Sequence, residues 1–140
     1  MEGSSHHSAP ARRLVAVVVA VCATSAGVHA GLVPQHLAHE PRLGAAFIAT
    51  APLLLAVAAA LTYRPTAALV GAAALIFAAL IAAYALSVTT GLPWLSSRPE
   101  PVDAVGMAAK TVEALGLVFS IHLSTAISGR GSLTHQEVRT

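Results

Sequence analysis

Apolar residues gather in four long runs, at 14–33, 43–63, 67–88 and 102–127, separated by short segments rich in Pro, Gly, Arg and His. No run alternates with a period of two, and each is too long for a strand. At 1.5 Å per residue, a helix of about 20 residues covers the roughly 30 Å hydrocarbon core of a bilayer. The pattern therefore predicts an all-α, polytopic membrane protein with four transmembrane helices in an up-down bundle. Local signals set the expected ends. Pro34 fits a stop just after a first helix that ends near Gly31, and Tyr63-Arg64-Pro65 is a tight turn. Thr89-Thr90-Gly91-Leu92-Pro93 is a glycine stop followed by proline. Pro99, Pro101 and Asp103 mark the start of the last helix, where an acidic side chain suits the helix dipole. Pro52 leaves the Ile48 carbonyl without its usual donor and is expected to kink the second helix. Residues 1–11 are expected to be a disordered cytoplasmic tail, 12–128 the transmembrane domain, and 129–140 a second cytoplasmic tail.

Composition sharpens this. Hydrophobic residues make up 56% of the 140 and charged residues only 10%, against about a quarter charged in soluble domains. The net charge of +2 comes without a Lys/Arg cluster or an aromatic-interleaved basic patch, which argues against a nucleic-acid partner. The arginines report topology instead. Arg12, Arg13, Arg64, Arg130 and Arg139 fall on one side of a four-crossing chain, and Arg42 and Arg98 on the other. The positive-inside rule then places both termini in the cytoplasm of a multi-pass protein of the cell (plasma) membrane. Trp94, beside Pro93, fits an interfacial anchor. Cys22 is the single cysteine, so no intrachain disulfide forms, and it reads as a packing residue. Arg12-Arg13, the run 14–22 and Val28-His29-Ala30 also resemble the zones of a cleavable signal peptide. The apolar run continues to Val33, which favours an uncleaved signal-anchor helix.

Two charges stand inside the fourth run, Lys110 and Glu113. At 100° per residue, Asp103, Gly106, Lys110, Glu113, Ser120, Ser124 and Ser128 share about 100° of arc, a polar stripe expected to face the bundle. A lysine near mid-bilayer costs about 2.5–3.5 kcal/mol on insertion scales, so something must compensate it. Either Lys110 and Glu113 form a structural ion pair with the lysine snorkelling outward, or they line a site for a proton, ion or small ligand in the outer half of the bundle. On the first helix, Val18, Cys22, Ser25 and His29 share a face, and His29 lies at a depth that suits Lys110. His29, His36, His39 and Glu40 form an H-x6-H-x2-H-E series whose donors suit copper, zinc or iron, or haem through an axial histidine. The same residues also read as interfacial polar groups at a helix end. His122 falls about 150° away from the polar stripe, in the other leaflet from His29. Ser25 and His29 are an i,i+4 pair without a third catalytic member, and no GxSxG, P-loop, GxGxxG or HExxH is present. Phe77 and Tyr84 read as core or lipid-facing surface.

His29-Ala-Gly-Leu-Val-Pro-Gln-His36, His39-Glu40, Thr89-Thr90-Gly91-Leu92-Pro93 and Pro99-Glu100-Pro101-Val102 through Lys110-Thr-Val-Glu113 together resemble a pattern in small, functionally uncharacterised four-helix membrane proteins of actinobacterial type. The resemblance covers residues 27–117 and implies the architecture and the choice of polar residues, without an activity. Three roles remain. One is a binding or accessory protein with Lys110, Glu113 and His29 lining a polar site. Another is a small proton-coupled carrier that uses Glu113, with Pro52 as a hinge. The last is a structural subunit of a homo-oligomer or larger membrane complex, packing through its Ala/Gly faces. None requires an enzyme.

Overall fold

The computed structural model describes residues 8–95 and 98–137, with side chains described over 10–95 and 98–127. Residues 1–7, most of the expected N-terminal tail, lie outside the described residues, as do 138–140. The described residues form four helices: α1 (Ser8–His39), α2 (Pro41–Tyr63), α3 (Ala67–Thr89) and α4 (Ala104–Glu137). Each is long and apolar enough to cross a membrane. The surface agrees: Leu75 is 72% exposed and Leu55 53%, large apolar side chains that a soluble bundle would turn inward.

The helix ends follow residue chemistry, with three corrections. First, α1 does not stop near Gly31. It runs through Pro34 to His39, taking in a segment expected to be a loop. Pro34 removes only the donor to the Ala30 carbonyl, and tertiary packing holds the turns beyond it. Leu37 lies so close to Gly44 of α2 that a Cβ there would sit 2.7 Å from Leu37 N. The His36 and His39 rings donate from Nδ1 to the carbonyls of Leu32 and Gln35, each at 3.0 Å. Glu40 alone then joins α1 to α2, which starts with Pro41 in the first turn, where a missing N–H costs nothing. Second, Ser8 to Ala11 already belong to α1 and not to a tail. Third, α4 continues past Ile127 to Glu137. Gly129 and Gly131 each weaken a helix by about 1 kcal/mol, a penalty and not a stop.

Other boundaries are close to those read from the sequence. α2 stays helical through Pro52. Thr66 caps α3, its Oγ1 accepting from Leu69 N at 3.3 Å. Gly91, at φ 77°, turns the chain out of α3 in the left-handed conformation that glycine tolerates. Asp103 is the cap of α4 and not a first-turn residue: its Oδ1 accepts from Gly106 N at 2.8 Å.

α1 packs mainly on α2 and α3 on α4. The pairs meet chiefly through α1 and α4, while α2 hardly touches α3. One cluster runs through the interior, with Val18, Cys22, Leu54, Leu61, Phe77 and Leu123 among its members. Close approach of α4 depends on Gly116, where a Cβ would lie 2.6 Å from both Phe77 Cε2 and Val21 Cγ1. In lipid such small-residue contacts hold helices together through dispersion, since apolar side chains gain little by leaving an apolar solvent.

Candidate functional site

Among the side chains of α4 that are described, Ala109, Glu113, Gly116, Ser120 and Leu123 are buried. They follow i, i+4, i+7 spacing, so one narrow stripe of that helix faces the bundle. Glu113 is fully buried within it. Its Oε2 pairs with Lys110 Nζ one turn back, and its Oε1 accepts from Ser25 Oγ at 2.9 Å. His29, one turn further along α1, puts its Nδ1 2.8 Å from the Ser25 carbonyl and 4.0 Å from Glu113 Oε1. A carbonyl only accepts, so Nδ1 carries the proton there and Nε2 is left for another partner. Ser25 and His29 are 1% and 5% exposed. Four polar side chains from two helices thus meet in one network.

Lys110 does not snorkel toward its own helix end. Besides Glu113, its ammonium reaches the Leu80 carbonyl on α3 at 3.4 Å and lies 5.6 Å from the centre of the Tyr84 ring. An ion pair, a carbonyl and an aromatic face together replace the water that this charge lost. The Tyr84 hydroxyl is itself buried with no hydrogen-bond partner among the described residues, as is Ser120 Oγ.

A cavity of about 380 Å³ opens beside this network, walled by all four helices and by the segment leading into α4. His29, Tyr84 and Lys110 give it polar groups, and Leu32, Phe47 and Leu80 give it apolar walls. Phe47 packs against two imidazoles, with ring centroids 5.0 Å from His29 and 4.5 Å from His36. Its outer rim is tied together. Glu100 N donates to the Ser87 carbonyl at 2.9 Å, and Arg42 Nη1 donates to the Trp94 carbonyl at 3.2 Å. The volume suits a small organic ligand.

His29, Lys110 and Glu113, singled out from the sequence, therefore meet. The expected metal group of His29, His36, His39 and Glu40 does not assemble here. His29 and His36 both pack on Phe47, His39 is exposed with its Nδ1 on the Gln35 carbonyl, and Glu40 sits at the α1–α2 joint. Helix through Pro34 is the cause: it spaces these side chains along a rod where a loop could have folded them together. Among the described residues, no three of His, Cys, Asp and Glu are grouped as metal ligands. His122 is exposed and apart from the site. Two participants, Ser25 and Tyr84, were not placed at this site by the sequence. Ser25 carried a signal, since it shares the His29 face, but Tyr84 carried none beyond being aromatic. Compared with known proteins, the chain matches no family model, no curated protein and no solved structure.

Proposed function

We propose that this is an integral membrane binding or accessory protein whose ligand sits in the outer cavity, against Lys110 and His29, with the buried carboxylate of Glu113 behind them. The observation that carries this is the Lys110–Glu113–Ser25–His29 network, with Lys110 and His29 at the wall of a cavity of about 380 Å³. Buried charges in a helix bundle are expensive, and a purely structural pair would not need a cavity at its side. Largely apolar walls, with Lys110, Glu100 and Asp103 as the charged lining residues, favour a small, largely apolar molecule with one or two polar groups. The arginine distribution supports placing both termini in the cytoplasm of the plasma membrane, with the cavity toward the opposite face. The resemblance to small actinobacterial membrane proteins supports the same architecture.

Native mass spectrometry of the protein extracted in mild detergent tests this. The expected spectrum shows a discrete mass added to the 14.1 kDa chain. It should disappear in Ala83→Phe, which fills the cavity from α3. A bare chain in the wild type, or an adduct untouched by Ala83→Phe, contradicts the proposal. A proton-coupled carrier is the alternative role. Its support is the series of titratable and hydroxyl groups from Lys110 through Glu113 and Ser25 to His29, whose Nδ1 lies 3.5 Å from Ser25 Oγ. It predicts proton uptake into proteoliposomes that Glu113→Gln abolishes.

A further inference from the structure

At the opposite end of the bundle a second cavity, of about 570 Å³, lies between α1, α2 and the later part of α4. Its walls are Val15, Val19, Leu61, Leu123 and Ile127, and Ala16 and Ala20 leave room that larger side chains would fill. Along α1 it extends from Ala11 to Ala20, about 13 Å at 1.5 Å per residue. One leaflet of the hydrocarbon core is about 15 Å deep, so the groove has the length of an acyl chain lying in a single leaflet.

Its mouth is cationic. Arg12 lines the groove, Arg13 follows it, and Arg64 precedes Pro65 on the far wall. All three arginines are exposed. Arg12 has no hydrogen-bond or ion-pair partner among the described residues. Among the described residues, no acidic residue lines the groove, and none occurs in the sequence between Glu2 and Glu40, between Glu40 and Glu100, or between Glu113 and Glu137. Apolar walls one leaflet long, ending at an exposed guanidinium, complement an acyl chain with a phosphate at its end.

We infer that this groove is a binding site for an anionic phospholipid, its acyl chain between α1, α2 and α4 and its phosphate at Arg12. The site is separate from the outer cavity and stands whether or not that cavity holds a ligand. Arg12, a planar fork of donors, pairs with phosphate oxygens two at a time. The neighbouring arginines add long-range attraction.

The test compares phosphatidylglycerol with phosphatidylcholine of the same acyl chains, added to delipidated protein in detergent and followed by native mass spectrometry. Phosphatidylglycerol is expected to bind more tightly. Arg12→Gln should lower that preference about fivefold, the effect of one basic residue at an anionic surface. Arg42→Gln, which removes the same charge from the other end, should leave it unchanged. Ala16→Phe, on an exposed groove position, should reduce retention of both lipids, and Ala20→Leu makes the same test with a smaller side chain. Equal binding of the two lipids, a preference unchanged by Arg12→Gln, or retention unchanged by both groove-filling variants overturns the inference.

Discussion

Glu113 and Lys110 should be strongly coupled in stability, and a double-mutant cycle measures how strongly. Glu113 is fully buried and the Lys110 side chain 16% exposed. Glu113→Gln leaves the ammonium in the bundle with only the Leu80 carbonyl and the Tyr84 ring for company. Lys110→Met leaves the carboxylate with the Ser25 hydroxyl and, at 4.0 Å, the His29 ring. Breaking a buried pair from one side costs about 3–5 kcal/mol. That is a large share of the roughly 5–15 kcal/mol that keeps a domain folded. The double variant removes both charges, and the new amide oxygen can still accept from Ser25. Pairs replaced in this way are often neutral, so the double variant should lose no more than either single one. If the sites were independent, the two losses would sum to about 6–10 kcal/mol. The cycle should therefore give a coupling of at least about 3 kcal/mol. Far-UV circular dichroism during reversible unfolding in mixed micelles reads each variant. Additivity within about 0.5 kcal/mol would mean that the two side chains are not partners, and the network would lose its centre.

Two further outcomes follow from packing and capping. Gly116→Ala should destabilise by about 1–3 kcal/mol, because its Cβ would meet Phe77 and Val21 at 2.6 Å. Gly71→Ala, with nothing within 4 Å of the added atom, should not destabilise, and thermal unfolding in detergent separates the two. Asp103→Ala removes the α4 cap and should lower stability by about 1 kcal/mol, with Asp103→Asn restoring most of it in the same assay.

Much of this architecture was written locally. The spacing of Val18, Cys22, Ser25 and His29 marked the inward face of α1, and all four are buried. The stripe through Lys110, Glu113 and Ser120 likewise turns toward the bundle. The misjudged parts depended on contacts between distant residues. Proline as a stop is a local rule, and at Pro34 it yields to Leu37 against Gly44 and His36 against Phe47, contacts made only once α2 folds back. The histidine series looked like a ligand set because a loop could have gathered it, whereas a helix spreads it out. The Ala/Gly faces had suggested packing surfaces, yet Gly71 of α3 is exposed. Tyr84 and the Leu80 carbonyl could not have been chosen in advance. An aromatic in an alanine-rich helix has no periodic signature, and a backbone carbonyl has no letter.

The chain contains a single lysine, Lys110, so its Nζ gives one unambiguous nitrogen resonance. Solid-state NMR of the protein in lipid bilayers can therefore ask directly what that ammonium touches. The account predicts a short-range cross-peak from Lys110 Nζ to a glutamate carboxyl carbon, protected from water exchange and lost in Glu113→Gln. A lysine nitrogen in contact only with water, or a carboxyl cross-peak that survives Glu113→Gln, would contradict it.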